Sequence, residues 1–495
     1  MKLCNAMLPT LASKGINVPT YDRTKLKPRL VHMGLGHFHR AHYLTYLSRL
    51  LDAGIYDGGV LEVDLPAVPE GFVRALEEQD YLYSVLDKAT DGTMHLHING
   101  PIIGYANAKS DPEKVLAWLV TETTQLITLT ITERGYYQDD VTQQIDWKHP
   151  DIIHDLQAEG RDWPVTATGF LSLALSRRFV SGKMPVTIMS CDNVPENGHL
   201  LQTCILQFCK KKYPQIVPWI ESSVAFPCTM VDRITPGTTK ADIEEIERKF
   251  GIEDSIPVHC EDFIQWIIED RSVTPLPPFE KAGAVVESSV IPYEKMKMRL
   301  LNGAHSVIGY LSALMGLEWV DEGATDPLIG NFVRNRYMKE IIPTLDPIKD
   351  VDFSAYCDKL ISRFANKAIR DKISRLCLDG RKKMASFIFQ PLMQALQEGK
   401  ECDSLIFAVA AWARYLKGKT DAGMDIVIED DFAEPLHKLA LNAEKEPQTF
   451  LEFASASNLS EAQWAYLSKT FVHFLDDFRE LGAQGSLSRF EETHS

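Results

Sequence analysis

The residues best equipped for chemistry lie in Tyr293-Glu294-Lys295-Met296-Lys297-Met298-Arg299-Leu300-Leu301-Asn302-Gly303-Ala304-His305-Ser306. On a helix turning about 100° per residue, Glu294, Lys297, Asn302 and His305 fall within an arc of about 140°. A carboxylate, an amine, an amide and an imidazole on one side of a helix are the parts of a general-base site. A desolvated lysine can take a proton, and the neighbouring donors can hold a developing negative charge. Met298 and Leu301 project into the same arc, as on a partly covered face. A solvated or mixed surface face satisfies the same spacing, so the helix alone leaves both readings open.

Other chemistries fit less well. His37, His39 and His42 crowd together and His95 and His97 stand two apart. No HExxH, cysteine cluster or aspartate pair completes a ligand set, and no metal is expected. No GxSxG marks a nucleophilic serine. Tyr293 and Lys297 have the spacing of the catalytic pair in short-chain dehydrogenases. Those chains are much shorter and carry the pair inside the nucleotide domain, so the match is read as accidental.

Something must position these groups, and the N-terminal half supplies candidates. Leu30-Val31-His32-Met33 is a short apolar run ending at Gly34-Leu35-Gly36, and Phe38 to Leu51 has a helical apolar period. Strand, glycine turn and helix open a dinucleotide-binding unit, although His39 stands where a third glycine is usual. Gly59 to Leu65 reads as a second strand with Asp64 at its carboxyl end. Either Asp64 or Glu70 could serve as the ribose-binding acid, or both could be solvated loop acids. Gln125 to Ile131 ends at Thr132-Glu133, and Pro185 to Met189 ends at Ser190-Cys191-Asp192-Asn193. In a parallel sheet, ligands bind outside such carboxyl ends, which places Glu133 and Asn193 where chemistry could use them. Helices are expected over Pro112 to Thr121, Gly198 to Lys211 and Ala241 to Phe250.

Pro275-Leu276-Pro277-Pro278 and the Gly283 region mark a composition shift, with a boundary placed near residue 285. The first 28 residues read as an irregular lead-in. Beyond the boundary helical periods dominate, at Arg299 to Met315, Pro327 to Ile342, Phe353 to Arg363, Ile373 to Leu396, Cys402 to Leu416 and Glu461 to Leu481. The expected fold is an α/β Rossmann-type nucleotide-binding domain over residues 1–285, followed by a mainly α-helical substrate-binding domain over 286–495.

Composition bounds the partners. At 495 residues the chain exceeds one ordinary domain, and 45% hydrophobic with 24% charged residues is a globular balance. A formal charge of -16 argues against general affinity for nucleic acid or an anionic membrane. The nine cysteines are scattered and form no CxxC pair, as expected of free thiols in a reducing cytosol. No secretory signal is recognisable, and the apolar run Leu405 to Ala413 is far short of the roughly 20 residues of a membrane span. It reads as a buried core helix. A cytoplasmic monomer or small homo-oligomer is expected.

Four stretches together resemble the polyol-specific long-chain dehydrogenase family. They are Gly34-Leu35-Gly36-His37-Phe38-His39-Arg40-Ala41-His42, Thr130-Ile131-Thr132-Glu133, Asp192-Asn193-Val194-Pro195-Glu196-Asn197-Gly198 and Lys297-Met298-Arg299-Leu300-Leu301-Asn302-Gly303-Ala304-His305. The resemblance runs from about Val18 to beyond Lys383. It implies an NAD(P)-dependent, metal-independent oxidoreductase acting on a polyol and its ketose, D-mannitol and D-fructose first. It also implies that Lys297 matches the general base, and Asn193 and Asn302 the amides on the reacting oxygen. His305 matches a substrate ligand and Glu294 a proton-exit carboxylate, while Asp232, Arg375 and Lys383 match substrate contacts. Cofactor contacts are expected from Gly34, Gly36, Phe38, His39, Arg40, Asp64 or Glu70, and Glu133. A carboxylate at Asp64 or Glu70 would repel a 2′-phosphate, so NAD is favoured over NADP. Where the family often has Asp-Gly-Ser, this chain has Asp379-Gly380-Arg381, a more basic approach to Lys383 that would suit a sugar acid. Mannonate and fructuronate are therefore the alternative substrates, and a nucleotide- or sugar-binding protein without turnover is the alternative of a different class.

Overall fold

The run Lys27–Met33 forms β1, and Gly58–Asp64 pairs beside it in parallel as β2. The computed structural model describes residues 1–65, 68–139, 144–160 and 162–494. Its further strands are β3 Tyr83–Lys88, β4 Met94–Asn99, β5 Ile102–Asn107, β6 Leu126–Leu129, β7 Thr187–Ser190, β8 Thr229–Asp232, β9 Val258–Glu261, β10 Gln265–Glu269 and β11 Val285–Glu287. The main sheet has the order β5-β2-β1-β6-β7 with every pair parallel. Strands of such a sheet are covered on both faces and read as continuous apolar runs, which is why β6 and β7 are buried at every residue. The order reverses between β1 and β6, so their carboxyl ends flank the switch point where ligands of parallel sheets bind. Two smaller sheets, β11-β10-β8 and β4-β3-β9, complete this part.

The chain divides into two units, Met1–Lys88 with Thr93–Ile291, and Ala89–Gly92 with Pro292–Ser495. Of the described residues in the second unit, none belongs to a named strand. Its centre is the helix from Ile291 to Met315, buried at every position from Met296 to Ser312. Asp403–Tyr415 contains the run expected as a core helix and is buried from Ser404 to Ala413. It packs against both Gly303–Met315 and Glu461–Thr493. A helix apolar all round is stable only when surrounded in this way. Among the described residues, no helix is long and apolar enough to cross a membrane.

Several expectations are corrected. The lead-in contains a helix, Leu8–Ser13, that buries Leu11 with Leu82, Leu86, Leu96 and Ile98. Six residues are too few to display a period. The single helix expected over Phe38 to Leu51 is two, His37–Ala41 and Tyr43–Asp52, parted at His42, whose Nε2 lies 2.8 Å from the Gln265 carbonyl. The helix expected over Ile373 to Leu396 stops at Cys377 and restarts at Gly380 after left-handed Asp379. Only a glycine fits there, because a Cβ would stand 2.8 Å from Tyr310 Oη and 3.0 Å from Trp412 Nε1. The C-terminal helix continues past Leu481 to Thr493 through a non-helical Gly482.

Beneath the β1 turn lies a fully buried polar cluster. His32 Nδ1 is 2.7 Å from Thr128 Oγ1, and its Nε2 is 3.0 Å from both the Gly34 carbonyl and Thr130 Oγ1. The His39 ring stacks on His32 with centroids 3.3 Å apart and planes 9° from parallel, and His39 Nε2 meets Glu62 Oε1 at 2.8 Å. Burial pushes both imidazoles well below their ordinary range, so the stack is of neutral rings. The ligand atoms of His32, His39 and Glu62 are close enough together to suggest a metal site. In-plane lone pairs of parallel rings do not converge, however, and the cluster is better described as the floor that ties β1, β2 and β6 to the helix His37–Ala41.

Burial also pushes the Glu62 carboxyl up to about 8. Between the ordinary carboxylate range and pH 8, the folded chain keeps a proton that the unfolded chain has released. The contribution of this group to stability therefore falls as pH rises and levels off above about 8. Glu62→Gln cannot titrate. Its melting temperature relative to the parent protein should rise steadily from pH 5 to 8 and then stay constant; an offset independent of pH in thermal unfolding would show that Glu62 holds no such proton.

Candidate active site

In the first unit the site begins at the turn after β1. Gly34 has φ +108°, and a Cβ there would stand 2.2 Å from the Thr130 carbonyl oxygen, a backbone atom that cannot swing away. This close approach requires glycine and sets the turn against the end of β6. Gly36 N–H donates to the Gly34 carbonyl at 2.8 Å, and Gly36 is the N-cap of His37–Ala41. Asp64 Oδ1 accepts from Leu35 N–H at 2.9 Å, and Tyr105 Oη donates to Asp64 Oδ2 at 3.3 Å. Burial raises the Asp64 carboxyl above its ordinary value, opposed by these hydrogen bonds. Asp64 thus lies at the carboxyl end of β2 and anchors the glycine turn.

The other expected cofactor residues divide. His39 and Arg40 turn inwards: His39 faces Glu62, and the Arg40 guanidinium donates to the Ile256 carbonyl while lying over the Phe72 and Tyr83 rings. Phe38 stacks on His42 with centroids 4.8 Å apart. Glu70 opens the helix Glu70–Glu78, and its side chain lies outside the described residues. Glu133 is exposed at the end of β6, directly after Thr132, whose φ is +63°.

Asn193 is exposed in the loop after β7. Its neighbour Asp192, which the sequence reading left without a role, is the tie between the two strand ends. Asp192 Oδ1 accepts from Thr132 N–H at 2.7 Å, and Oδ2 accepts from Tyr136 Oη at 2.8 Å. Asn197 continues the network by donating to the Asp192 and Thr229 carbonyls, each at 3.0 Å. Glu133 and Asn193 are therefore carried on loops bound to each other. Asp232 is buried at the end of β8, in register with Gln265.

In the second unit Glu294, Lys297, Asn302 and His305 are all buried, which rules out the solvated face left open by spacing. The helix also differs locally from the one assumed in that reading. Lys297–Asn302 is a π turn, with Gly303 N–H donating to the Met298 carbonyl, five residues back. In an α-helix residues five apart diverge by about 140°. A turn closed at i+5 brings them towards the same direction, and Lys297 and Asn302 are five apart. The two residues at opposite edges of the expected arc are thus the pair that the π turn draws together. Asn302 Nδ2 lies 3.0 Å from Met298 Sδ.

The His305 ring lies 4.3 Å from that of Phe364, centroid to centroid, with the planes tilted by 42°, and its buried Nε2 has no hydrogen-bond partner among the described residues. Burial, followed by the positive charges of Arg375, Arg363, Lys383 and Lys297, pushes its imidazole well below the ordinary range. A neutral imidazole with an unused ring nitrogen can exchange a hydrogen bond with a hydroxyl. Arg363 was missed from sequence, because an arginine in the last turn of a helix has an ordinary explanation in the helix dipole. Arg375 makes a bidentate pair with Asp371, with Nε donating to Oδ1 at 2.6 Å. Lys383 Nζ donates to the Arg375 and Leu376 carbonyls, each at 3.2 Å. Arg381 does not make the basic approach to Lys383 suggested by its position in the motif. Its guanidinium lies over the Phe432 and Phe453 rings, 4.6 and 4.9 Å from their centroids, and donates to the Phe453 carbonyl.

Comparison with known proteins accords with both halves. A family profile described as the mannitol dehydrogenase Rossmann domain matches residues 28–281, and one described as the mannitol dehydrogenase C-terminal domain matches residues 289–474. Curated mannitol 2-dehydrogenases of Aspergillus fumigatus and Aspergillus oryzae are 37% and 38% identical, each alignment covering 92% of this chain and 92% of the relative. Among solved structures, a Pseudomonas fluorescens mannitol 2-dehydrogenase in ternary complex with NAD and D-mannitol is similar at TM-score 0.90 and 32% identity, covering 99% of this chain and 100% of that one. A substrate-free D-sorbitol dehydrogenase is similar at TM-score 0.87 and 29% identity, covering 98% and 100%. With both profiles matched in order and relatives aligned over nine-tenths of its length, the chain belongs to the mannitol dehydrogenase family.

Proposed function

We propose that this protein is an NAD-dependent polyol dehydrogenase that interconverts D-mannitol and D-fructose, with Lys297 as the general base. The observation that carries the reading is the burial of Lys297 and Asn302 on one π turn, one turn before a neutral His305. The glycine turn suits a dinucleotide: it has no Cβ at Gly34, it lies at the switch point between β1 and β6, and an acid stands at the end of β2. That acid is the reason to assign NAD rather than NADP, since a carboxylate repels a 2′-phosphate.

NAD, when bound, supplies the hydride acceptor. In the oxidative direction Lys297 takes the proton of the reacting hydroxyl. Asn302 donates to the oxygen as negative charge grows there, and Asn193 is assigned the second amide donor from its place in the family motif. His305 accepts or donates a hydrogen bond at a neighbouring hydroxyl, with Arg375, Lys383 and Asp232 as further substrate contacts. Glu294 is assigned the carboxylate that passes the proton outward. In the reductive direction the Lys297 ammonium polarises the ketose carbonyl and returns the proton. A lysine base needs no metal to activate the alcohol.

A sugar-acid substrate is the second reading, favoured by the positive charges around His305. The Arg375–Asp371 pair and the stacked Arg381 weaken it, because both withdraw cationic charge from service to a carboxylate.

With NAD and separate mannitol, sorbitol, arabinitol and mannonate, NADH absorbance should rise fastest on mannitol. Turnover on mannonate alone would replace the substrate assignment, and turnover on none would leave a binding protein. Lys297→Ala should lower kcat by at least about 100-fold, the range of general-base contributions, while NADH binding measured by fluorescence is unchanged. An undiminished rate in the alanine variant would remove Lys297 from the mechanism.

A further inference from the structure

The π turn at Lys297–Asn302 is held from outside its own helix. Because Gly303 N–H donates to the Met298 carbonyl, the Arg299 carbonyl gives up the partner it would have four residues on in an α-helix. Tyr337 Oη donates to that carbonyl at 2.7 Å. Tyr337 is fully buried and belongs to a second π turn, Val333–Tyr337. Burial raises its phenol well above the ordinary value, so it remains a donor at every working pH.

The hydroxyl also occupies the space of a missing side chain. A Cβ on Gly303 would stand 1.9 Å from Tyr337 Oη and 3.4 Å from the carbonyl of Phe387, a residue of a third π turn, Ala385–Phe389. The Arg299 guanidinium is fixed as well, donating to the Thr344 carbonyl at 2.8 Å and to Gln394 Oε1 at 2.7 Å. Arg299 is therefore held at its backbone oxygen and at the end of its side chain, midway between Lys297 and Asn302.

We infer that Tyr337 is a positioning residue: its hydroxyl, seated against Gly303, keeps Lys297–Asn302 in the π form that directs the proposed base and its amide partner to one face. The inference rests on the roles proposed for Lys297 and Asn302. Without the hydroxyl, the Arg299 carbonyl regains its bond most directly by closing the turn at i+4. That change removes one residue from the turn and turns Asn302 away from Lys297. Displacements of about 1 Å in an oriented site can cost 100-fold in rate.

The test is Tyr337→Phe, with Gly303→Ala/Tyr337→Phe as a second variant in which the added methyl takes the space left by the hydroxyl. Rates are normalised to NADH-binding sites, so a loss of folded protein does not count as a loss of rate. Both variants should bind NADH as the parent does and lose 10-fold to 100-fold in kcat, with KM for the polyol changed less than threefold. The primary isotope effect from deuterium on the reacting carbon should increase as hydride transfer becomes limiting. A crystal structure of Tyr337→Phe should have Lys297–Asn302 closed at i+4. A parental kcat and isotope effect, or a retained π turn, would overturn the inference. The crystal structure decides the point even if no polyol is a substrate, so failure of the clamp is distinct from failure of the proposed activity.

Discussion

The second unit is built around a helix that is buried on every side yet carries Lys297, Arg299, Asn302 and His305. Polar groups out of reach of water need partners, and leaving one unpaired costs about 1–3 kcal/mol. This requirement shapes the surroundings alongside the apolar packing of the helix. Arg299 reaches the Thr344 carbonyl and Gln394, Tyr337 serves the Arg299 carbonyl, and Lys383 serves two carbonyls of the segment before it. His305 Nε2 keeps spare bonding capacity beside them, as do Tyr310 Oη and Ser312 Oγ further along the same helix.

The first unit solves a related problem with backbone. Its turn is set against the end of β6, which Gly34 allows because it has no Cβ to meet the Thr130 carbonyl. The polar residues around the turn mostly face inwards. His32, His39, Glu62 and Arg40 fix strands and helix to one another, and Asp64 restrains Leu35. Precision at the surface of the turn therefore comes from a buried network beneath it, in which burial keeps both imidazoles neutral and holds a proton on Glu62.

Four of the five parallel strands were legible as short, mainly apolar runs, with Glu62 interrupting the run of β2, and the edge strand β5 was not read. The hairpin of β3 and β4 was overlooked although Met94, His95, Leu96, His97 and Ile98 alternate in burial as a strand should. The two histidines are its less buried face. Four polar residues of the central helix could be grouped by spacing, but the π turn could not, since nothing in Lys297 to Asn302 departs from an α-helical pattern. It arises from contacts with residues 34 and more positions away. The same is true of Asp192, whose work is done by a hydrogen bond to Thr132, and of Arg381, whose stacking rings lie 51 and 72 residues further on.

Gly303 and Tyr337 share one small volume, and this limits how the chain can drift. Replacing the glycine first places a methyl within 1.9 Å of the phenolic oxygen, and replacing the tyrosine first leaves the Arg299 carbonyl short of a donor. The glycine can therefore be enlarged only where the hydroxyl is gone, and the hydroxyl can be lost without cost only where the Arg299 carbonyl has found another donor.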